Sequence, residues 1–231
     1  MSANQFGKNK LAVFDIDGTI FRYALQFELF KGLVEYGIFP RIVLKETEEH
    51  YGDWLNRRGR YRDFEESLIM SFQNRIRGKV VEDIQKVSRY IVEVKKEHLY
   101  VYTRNLIQQL RKDHILLAIS GAPQEVVDEF ATYWKFDKAY GTGFARDNGV
   151  YTGAISFPAF SIKKDILQQF CNEHNVSLQH SIGVGDTVGD IPFLEEVEQP
   201  IAFNPSRELY DVARERGWKI VVERKDMVYE L

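Results

Sequence analysis

Leu11-Ala12-Val13-Phe14-Asp15-Ile16-Asp17-Gly18-Thr19-Ile20 opens on four apolar residues that run straight into two carboxylates, Asp15 and Asp17, before Gly18 and Thr19 break the pattern. A short continuous apolar run closed by a turn signal fits a strand buried on both faces, as in the middle of a parallel sheet. The acids then stand where the strand ends, at the carboxyl edge, where open α/β sheets bind their ligands. Side chains alternate along an extended chain, but a strand that has just ended can turn both acids toward one pocket. Carboxylates that close repel unless a cation lies between them or one keeps a proton. The plainer reading, a solvated polar strand end, fits poorly behind four buried apolar positions.

Outward from this stretch, two further apolar runs end in polar residues. Ile115 to Ile119 leads into Ser120-Gly121, and Ser181 to Val184 leads into Gly185-Asp186. Phe136 to Tyr140 reads as a weaker strand. Pro200 to Phe203 and Lys219 to Val222 read as two more, and Asp147-Asn148-Gly149 marks a hairpin turn within Ala145 to Ala154. Thr103 to Lys112 and Ser161 to His174 have helical spacing, the second with Ser161 as its expected cap. Strands alternating with helices indicate an α/β fold around a parallel sheet. Between the first strand and the second, the pattern is helical only. Ala24 to Tyr36, Pro40 to about Leu55, Phe64 to Ile76 and Val80 to Val94 each carry an apolar stripe. This block reads as an insert rising from the first loop. The expected division is a core of residues 1–21 and 101–231 with a helical cap at 22–100.

The bulk properties narrow the function. The chain has 231 residues, is 44% hydrophobic and has a net charge of −3, which supports a real core and gives no reason to expect nucleic acid as partner. A single cysteine, Cys171, fits a reducing compartment. Met1 to Lys10 is polar, without the apolar core of a signal peptide, and no stretch approaches the ~20 apolar residues of a membrane span. The expectation is a cytoplasmic protein with no membrane partner, compatible with a homodimer.

The polar strand ends match what phosphate chemistry requires. Asp15 and Asp17 come from the first, Ser120 and the bare backbone of Gly121 from the second, and Asp186 and Asp190 from the third. Lys163 and Lys164 open a helix whose N-terminus favours anions. A carboxylate can attack phosphorus and form an aspartyl phosphate, but a dianionic phosphate repels it. A hard divalent cation removes that repulsion, and magnesium suits an all-oxygen ligand set. A lysine and a hydroxyl hold the other phosphate oxygens, and a second acid protonates the leaving alkoxide and later activates water.

In these four motifs the chain resembles the haloacid dehalogenase (HAD) superfamily of phosphohydrolases, subfamily IB, the subgroup that contains the phosphoserine phosphatases. Asp-x-Asp-x-Thr is met by Asp15, Asp17 and Thr19, and the strand ending in Ser or Thr by Ile119-Ser120-Gly121. The lysine opening a helix is met by Lys163 or Lys164, and Gly-Asp-x-x-x-Asp by Gly185, Asp186 and Asp190. The resemblance implies a Rossmann-like core with a small helical cap, and a magnesium-dependent phosphatase acting on a small phosphorylated metabolite. It implies Asp15 as nucleophile and metal ligand, and Asp17 as general acid/base with its backbone carbonyl on the metal. Ser120 and the Gly121 N–H would bind the phosphoryl group. Asp186 would bind magnesium, with Asp190 completing or orienting the shell. The register Lys-x-Asp/Glu-Ile-Leu selects Lys163 in Lys163-Lys164-Asp165-Ile166-Leu167. A phosphotransferase or phosphomutase could use the same residues. From another class, a phospho-acceptor signalling module also gathers acids and a lysine at strand ends.

Three positions depart from the phosphoserine phosphatase pattern. Gly18 stands where a Ser is usual, Gly189 where Asn is common, and Ala24 where a glutamate contacts the substrate amino acid; Glu28 does not replace it in register. The chemistry therefore carries over and the substrate does not. Elsewhere the plain readings are preferred. Arg57, Arg58, Arg60 and Arg62 read as a solvated face before a substrate clamp. Arg22 is equally a cleft residue or a hinge residue. His98, His114, His174 and His180 lack metal spacing. Cys171, Trp54, Trp134 and Trp218 read as packing, and Phe157 to Phe160 are open to a role at a flap edge.

Overall fold

The computed structural model describes residues 6–231; residues 1–5, which hold half of the polar N-terminal stretch, lie outside the description. In chain order the elements are β1 (Lys10–Phe14), α1 (Leu25–Glu35), α2 (Ile42–Leu55), α3 (Tyr61–Ile76), α4 (Val81–Lys95), α5 (Val101–Leu110), β2 (His114–Pro123), α6 (Gln124–Trp134), β3 (Lys138–Asp147), β4 (Val150–Phe157), α7 (Lys163–His174), β5 (Ile182–Gly185), α8 (Ile191–Leu194), β6 (Gln199–Phe203), α9 (Arg207–Arg216), β7 (Lys219–Arg224) and β8 (Met227–Glu230). The strands form an eight-stranded sheet in the order β4-β3-β2-β1-β5-β6-β7-β8. Neighbours from β3 through β7 pair in parallel, and β4 and β8 close the edges antiparallel. This is the expected α/β architecture.

Alternation along the central strands divides the core in two. Ala12 and Phe14 of β1 with Leu116 and Ala118 of β2 face one layer, which holds α5, α6 and much of the helical insert. Leu11, Val13, Ile115, Leu117 and Ile119 face the other, against α7, α8 and α9. Both faces of β1 and β2 are buried, which is why their sequences are continuous apolar runs. Each large side chain so buried stabilises the fold by roughly 1.5–3 kcal/mol. β1 lies between β2 and β5, and the chain completes one side of the sheet before crossing to the other. The crevice at the β1/β5 carboxyl ends is therefore a topological switch point.

The helical insert leaves and returns through paired segments. The Arg22 N–H donates to the His98 carbonyl at 2.8 Å and the Tyr100 N–H to the Ile20 carbonyl at 3.0 Å. A second tie joins the α3–α4 link to the β3–β4 hairpin, where the Gly78 N–H donates to Tyr151 at 2.8 Å and the Tyr151 N–H to Lys79 at 2.9 Å. The hairpin turns at Asn148 and Gly149, both at positive φ (47° and 79°), as a two-residue type I′ turn demands.

Several local expectations change. Phe136 to Tyr140 and the outgoing arm of the hairpin are one strand, β3, parallel to β2 at its start and antiparallel to β4 at its end. β2 does not stop at Ser120: its register slips between Ile119 and Pro123, so Ser120 to Ala122 bulge from the ladder. Ser161 does not cap α7. A 3₁₀ turn over Ala159–Ser161 holds it, with its hydroxyl donating to the Pro158 carbonyl at 3.1 Å. α6, α9 and β8 had no assignment from the sequence. α6 nonetheless shows helical spacing in Val126, Val127, Phe130, Ala131 and Trp134, whereas β8 is exposed throughout and has no pattern to read.

Candidate active site

Asp15 directly follows β1, and its backbone N–H continues the ladder to the Val184 carbonyl of β5 at 3.0 Å. This places it beside Asp186, which follows β5. Asp15, Asp186 and Asp190 are buried, and each offers a carboxylate oxygen within 4.8 Å of the others. Lys163, in the first turn of α7, reaches between two of them: Nζ donates to Asp15 Oδ1 at 2.7 Å and to Asp190 Oδ1 at 2.6 Å. Lys164 points elsewhere and pairs with Glu196 at 2.6 Å on the surface.

The remaining hydrogen bonds separate the acids by task. Asp190 has both oxygens engaged, because Oδ2 accepts the Asp186 and Thr187 backbone N–H groups at 3.0 Å each. It thus shapes the loop that presents Asp186. Asp186 accepts from the Thr19 hydroxyl at 3.2 Å. Asp17 is turned away from the triad. Its carboxylate accepts the Leu25 N–H at the start of α1 and the Ser120 hydroxyl at 3.1 Å. An acid at a helix N-terminus is favoured there by the helix dipole. The Asp17 carboxylate is thus not among the three that gather as a possible metal group. Ser120 Oγ in turn accepts the Ala122 N–H at 3.0 Å, which braces the bulge of β2. Gly121 lines the cleft, and a Cβ there would stand 3.2 Å from Phe160 Cβ. Gly18 sits at φ 79° with Asp186 Oδ2 2.1 Å from where its Cβ would lie, so no side chain fits at 18 while Asp186 keeps this position.

Burial dominates the electrostatics. It pushes Asp15 up to about 7, with Lys163 opposing and Asp190 and Asp17 adding to the rise. Asp186 is carried well above the usual carboxylate range by burial and then by Asp15 and Asp190. Asp17 is raised by burial against the pull of its hydrogen bonds. Burial disfavours the Lys163 charge, but Asp15 and Asp190 outweigh it and its pKa is raised. One lysine thus faces several acids, and Asp15 Oδ2 is buried with no hydrogen-bond partner among the described residues. Hard carboxylate oxygens, excess negative charge and an orphaned oxygen together fit a divalent cation of the magnesium type.

The triad opens into a cleft of about 220 Å³ lined by the strand-end residues and by the insert, which contributes Gln26, Arg62, Glu65, Glu66, Leu68 and Ile69. The sequence reading missed most of these. The apolar spacing of α3 marks its packed side (Phe64, Leu68, Phe72), but not which flank meets the cleft. Of the basic run, Arg62 lines the cleft and binds Glu66 at 2.7 Å; Arg60 pairs with Asp63, and Arg58 with Asp53. Ala24 lines the cleft, whereas Glu28 is occupied by Lys31 at 2.6 Å and Lys95 at 3.4 Å. Arg22 lies over the Tyr100 ring, and Phe160 forms part of the cleft wall. Cys171 is buried and its thiol pushed up to about 11 by burial.

The haloacid dehalogenase-like hydrolase model matches residues 12–195, a span that runs from β1 through α8 and holds every acid of the site. The chain belongs to this family. A probable phosphatase of Mycobacterium tuberculosis is 24% identical over 216 residues, 91% of this chain and 74% of that protein. A histidinol-phosphatase of Neisseria meningitidis is 25% identical over 223 residues, 91% of this chain and 97% of its own. Among solved structures, a phospho-aspartyl intermediate analogue of phosphoserine phosphatase superposes with a TM-score of 0.64 at 18% identity, covering 95% of each chain. The protein is a phosphatase of the HAD family with a phosphoserine phosphatase-like fold. No helix among the described residues is long and apolar enough to cross a membrane.

Proposed function

We propose that this HAD phosphatase is magnesium-dependent and hydrolyses a small phosphomonoester through an aspartyl phosphate on Asp15. The observation that carries this reading is the buried Asp15, one oxygen on Lys163 and the other without a partner, beside Asp186 at the switch point. Asp15, Asp186 and the Asp17 carbonyl would hold the cation, which when bound would offset the repulsion between Asp15 and the phosphate. Asp190 orients that shell through its two backbone contacts and through Lys163.

Asp15 attacks phosphorus, while Lys163 and the Gly121 N–H take the phosphoryl oxygens as charge moves. Asp17, raised by burial, protonates the leaving alkoxide and then takes a proton from the attacking water. Ser120 holds the Asp17 carboxylate in place and releases it to bind phosphate. Residues 22–100 serve as a cap that limits the substrate to small esters and excludes bulk water. The cytoplasm is the proposed setting, in keeping with the one buried cysteine. Hydrolysis of an aryl phosphate with and without added magnesium tests the reading. Asp15→Asn is expected to lower turnover by at least about 10³-fold, and turnover retained by that variant, or wild-type turnover that ignores the metal, would overturn it. A phosphotransferase would pass the phosphoryl group to an added acceptor and release no inorganic phosphate.

A further inference from the structure

The cleft wall built by the insert carries charges that the strand-end chemistry does not use. α3 presents Arg62, Glu65 and Glu66 to the cleft. Arg62 Nε donates to Glu66 Oε1 at 2.7 Å, so these two charges answer each other. Glu65 has neither a hydrogen bond nor an ion pair among the described residues, although it is partly buried. It lies close enough to the acids below that it raises the pKa of Asp186, while burial first, and then Asp15, Asp190 and Asp17, raise its own. The rest of this wall is short and mostly apolar: Ala24, Leu68 and Ile69, with Phe160 opposite.

We infer that Glu65 is a specificity-determining residue that receives a protonated amine, so that the cleft takes phosphate monoesters of short amino alcohols. This rests on the phosphatase reading above. With a phosphoryl group at Asp15, the organic part of the ester has the space under α3 to occupy. An anionic tail would meet Glu65 with no unpaired cation on the wall, since Arg62 is held by Glu66 and Lys163 by Asp15 and Asp190. A neutral tail would leave the Glu65 carboxyl half-buried and without a partner. An ammonium supplies a charge-assisted hydrogen bond, and the apolar residues cover the two or so carbons between amine and ester.

The test compares 2-aminoethyl phosphate with propyl phosphate, its neutral isostere, and with O-phosphoserine, which adds a carboxylate. An aryl phosphate serves as the control, all with magnesium. Wild type is expected to favour the aminoethyl ester over the propyl ester in kcat/KM by about tenfold or more, the scale of one hydrogen bond to a charged group. It is expected to favour the aminoethyl ester over phosphoserine as well. In Glu65→Gln and Glu65→Ala the amine preference is expected to fall to about onefold to twofold. The ratio is measured within one preparation, so a partly folded variant still reports it, and two variants keep the test standing if one does not fold. A wild type without amine preference, a preference that survives both substitutions, or phosphoserine as the better substrate would each overturn the inference. If the aryl phosphate is hydrolysed, that failure belongs to Glu65 alone; if no ester is hydrolysed, the phosphatase reading falls and this inference with it.

Discussion

Metal removal is expected to make the stability of the fold depend on pH in a defined window. Burial raises Asp15 from an ordinary 3.8 to about 7. A carboxyl raised in this way leaves the folded chain undiminished below about pH 4 and destabilises it progressively as pH climbs toward the folded value. The whole displacement corresponds to about 4 kcal/mol, of which about 2 kcal/mol falls between pH 5 and 7. In a chain of this length 1 kcal/mol moves Tm by about 2–4 °C, so Asp15 alone lowers the Tm of the stripped protein by about 4–8 °C over that interval. Asp186 acts with the same sign, and Glu65, raised by burial to about 8, extends the window upward. Lys163 adds nothing to the slope, because its raised pKa lies above the window. Surface acids with lowered values, such as Asp113 and Glu198, finish titrating below it. A bound divalent cation favours the ionised acids, so the magnesium-dependent gain in Tm grows from pH 5 to pH 8. Differential scanning fluorimetry in EDTA and in magnesium across that range measures both curves. A level Tm in EDTA, or a magnesium gain no larger at pH 8 than at pH 5, would refute the argument. Asp186→Asn should raise the EDTA curve at pH 8 and remove the gain.

Three further outcomes follow from the same geometry. Lys163→Met leaves Asp15 and Asp190 buried without their cation and should lower aryl phosphate turnover by at least about 10²-fold, whereas Lys164→Met removes an exposed pair and should leave turnover and the urea midpoint as in wild type; activity assays and urea melts of the two variants decide it. Gly18→Ala meets both the positive φ and the Asp186 carboxylate, so it should cost about 1–2 kcal/mol from the backbone alone and weaken the magnesium-dependent gain in Tm; an unchanged gain would show that Asp186 moves freely. Asp17→Asn should slow phosphoenzyme breakdown, read as a larger acid-stable phosphoprotein fraction by intact-mass spectrometry after mixing with substrate; a fraction equal to that of wild type would remove the acid/base role.

The α/β class, the parallel sheet and the helical insert were legible in the linear chain because buried parallel strands are written as unbroken apolar runs. The β1, β2 and β5 runs each end on the residues that later meet, and the order of those ends is itself a sequence property. Spacing also marked the insert helices, and would have marked α6. Tertiary structure alone decided which way each polar group faces. Whether Asp17 joins the acids or caps α1 depends on the turn at Gly18 and on where α1 begins. Lys163 rather than Lys164 lies between Asp15 and Asp190 because it shares the packed face of α7 with Ile166, Leu167 and Phe170. The bulge that frees Ser120 to Ala122 from β2 follows from how β3 pairs beside it. Glu65 faces the acids because α3 packs through its apolar side and turns its other flank toward the cleft, a rotation set by neighbours distant in sequence. Local periodicity fixes which element a residue belongs to, whereas the direction of its side chain is set by contacts that span most of the chain.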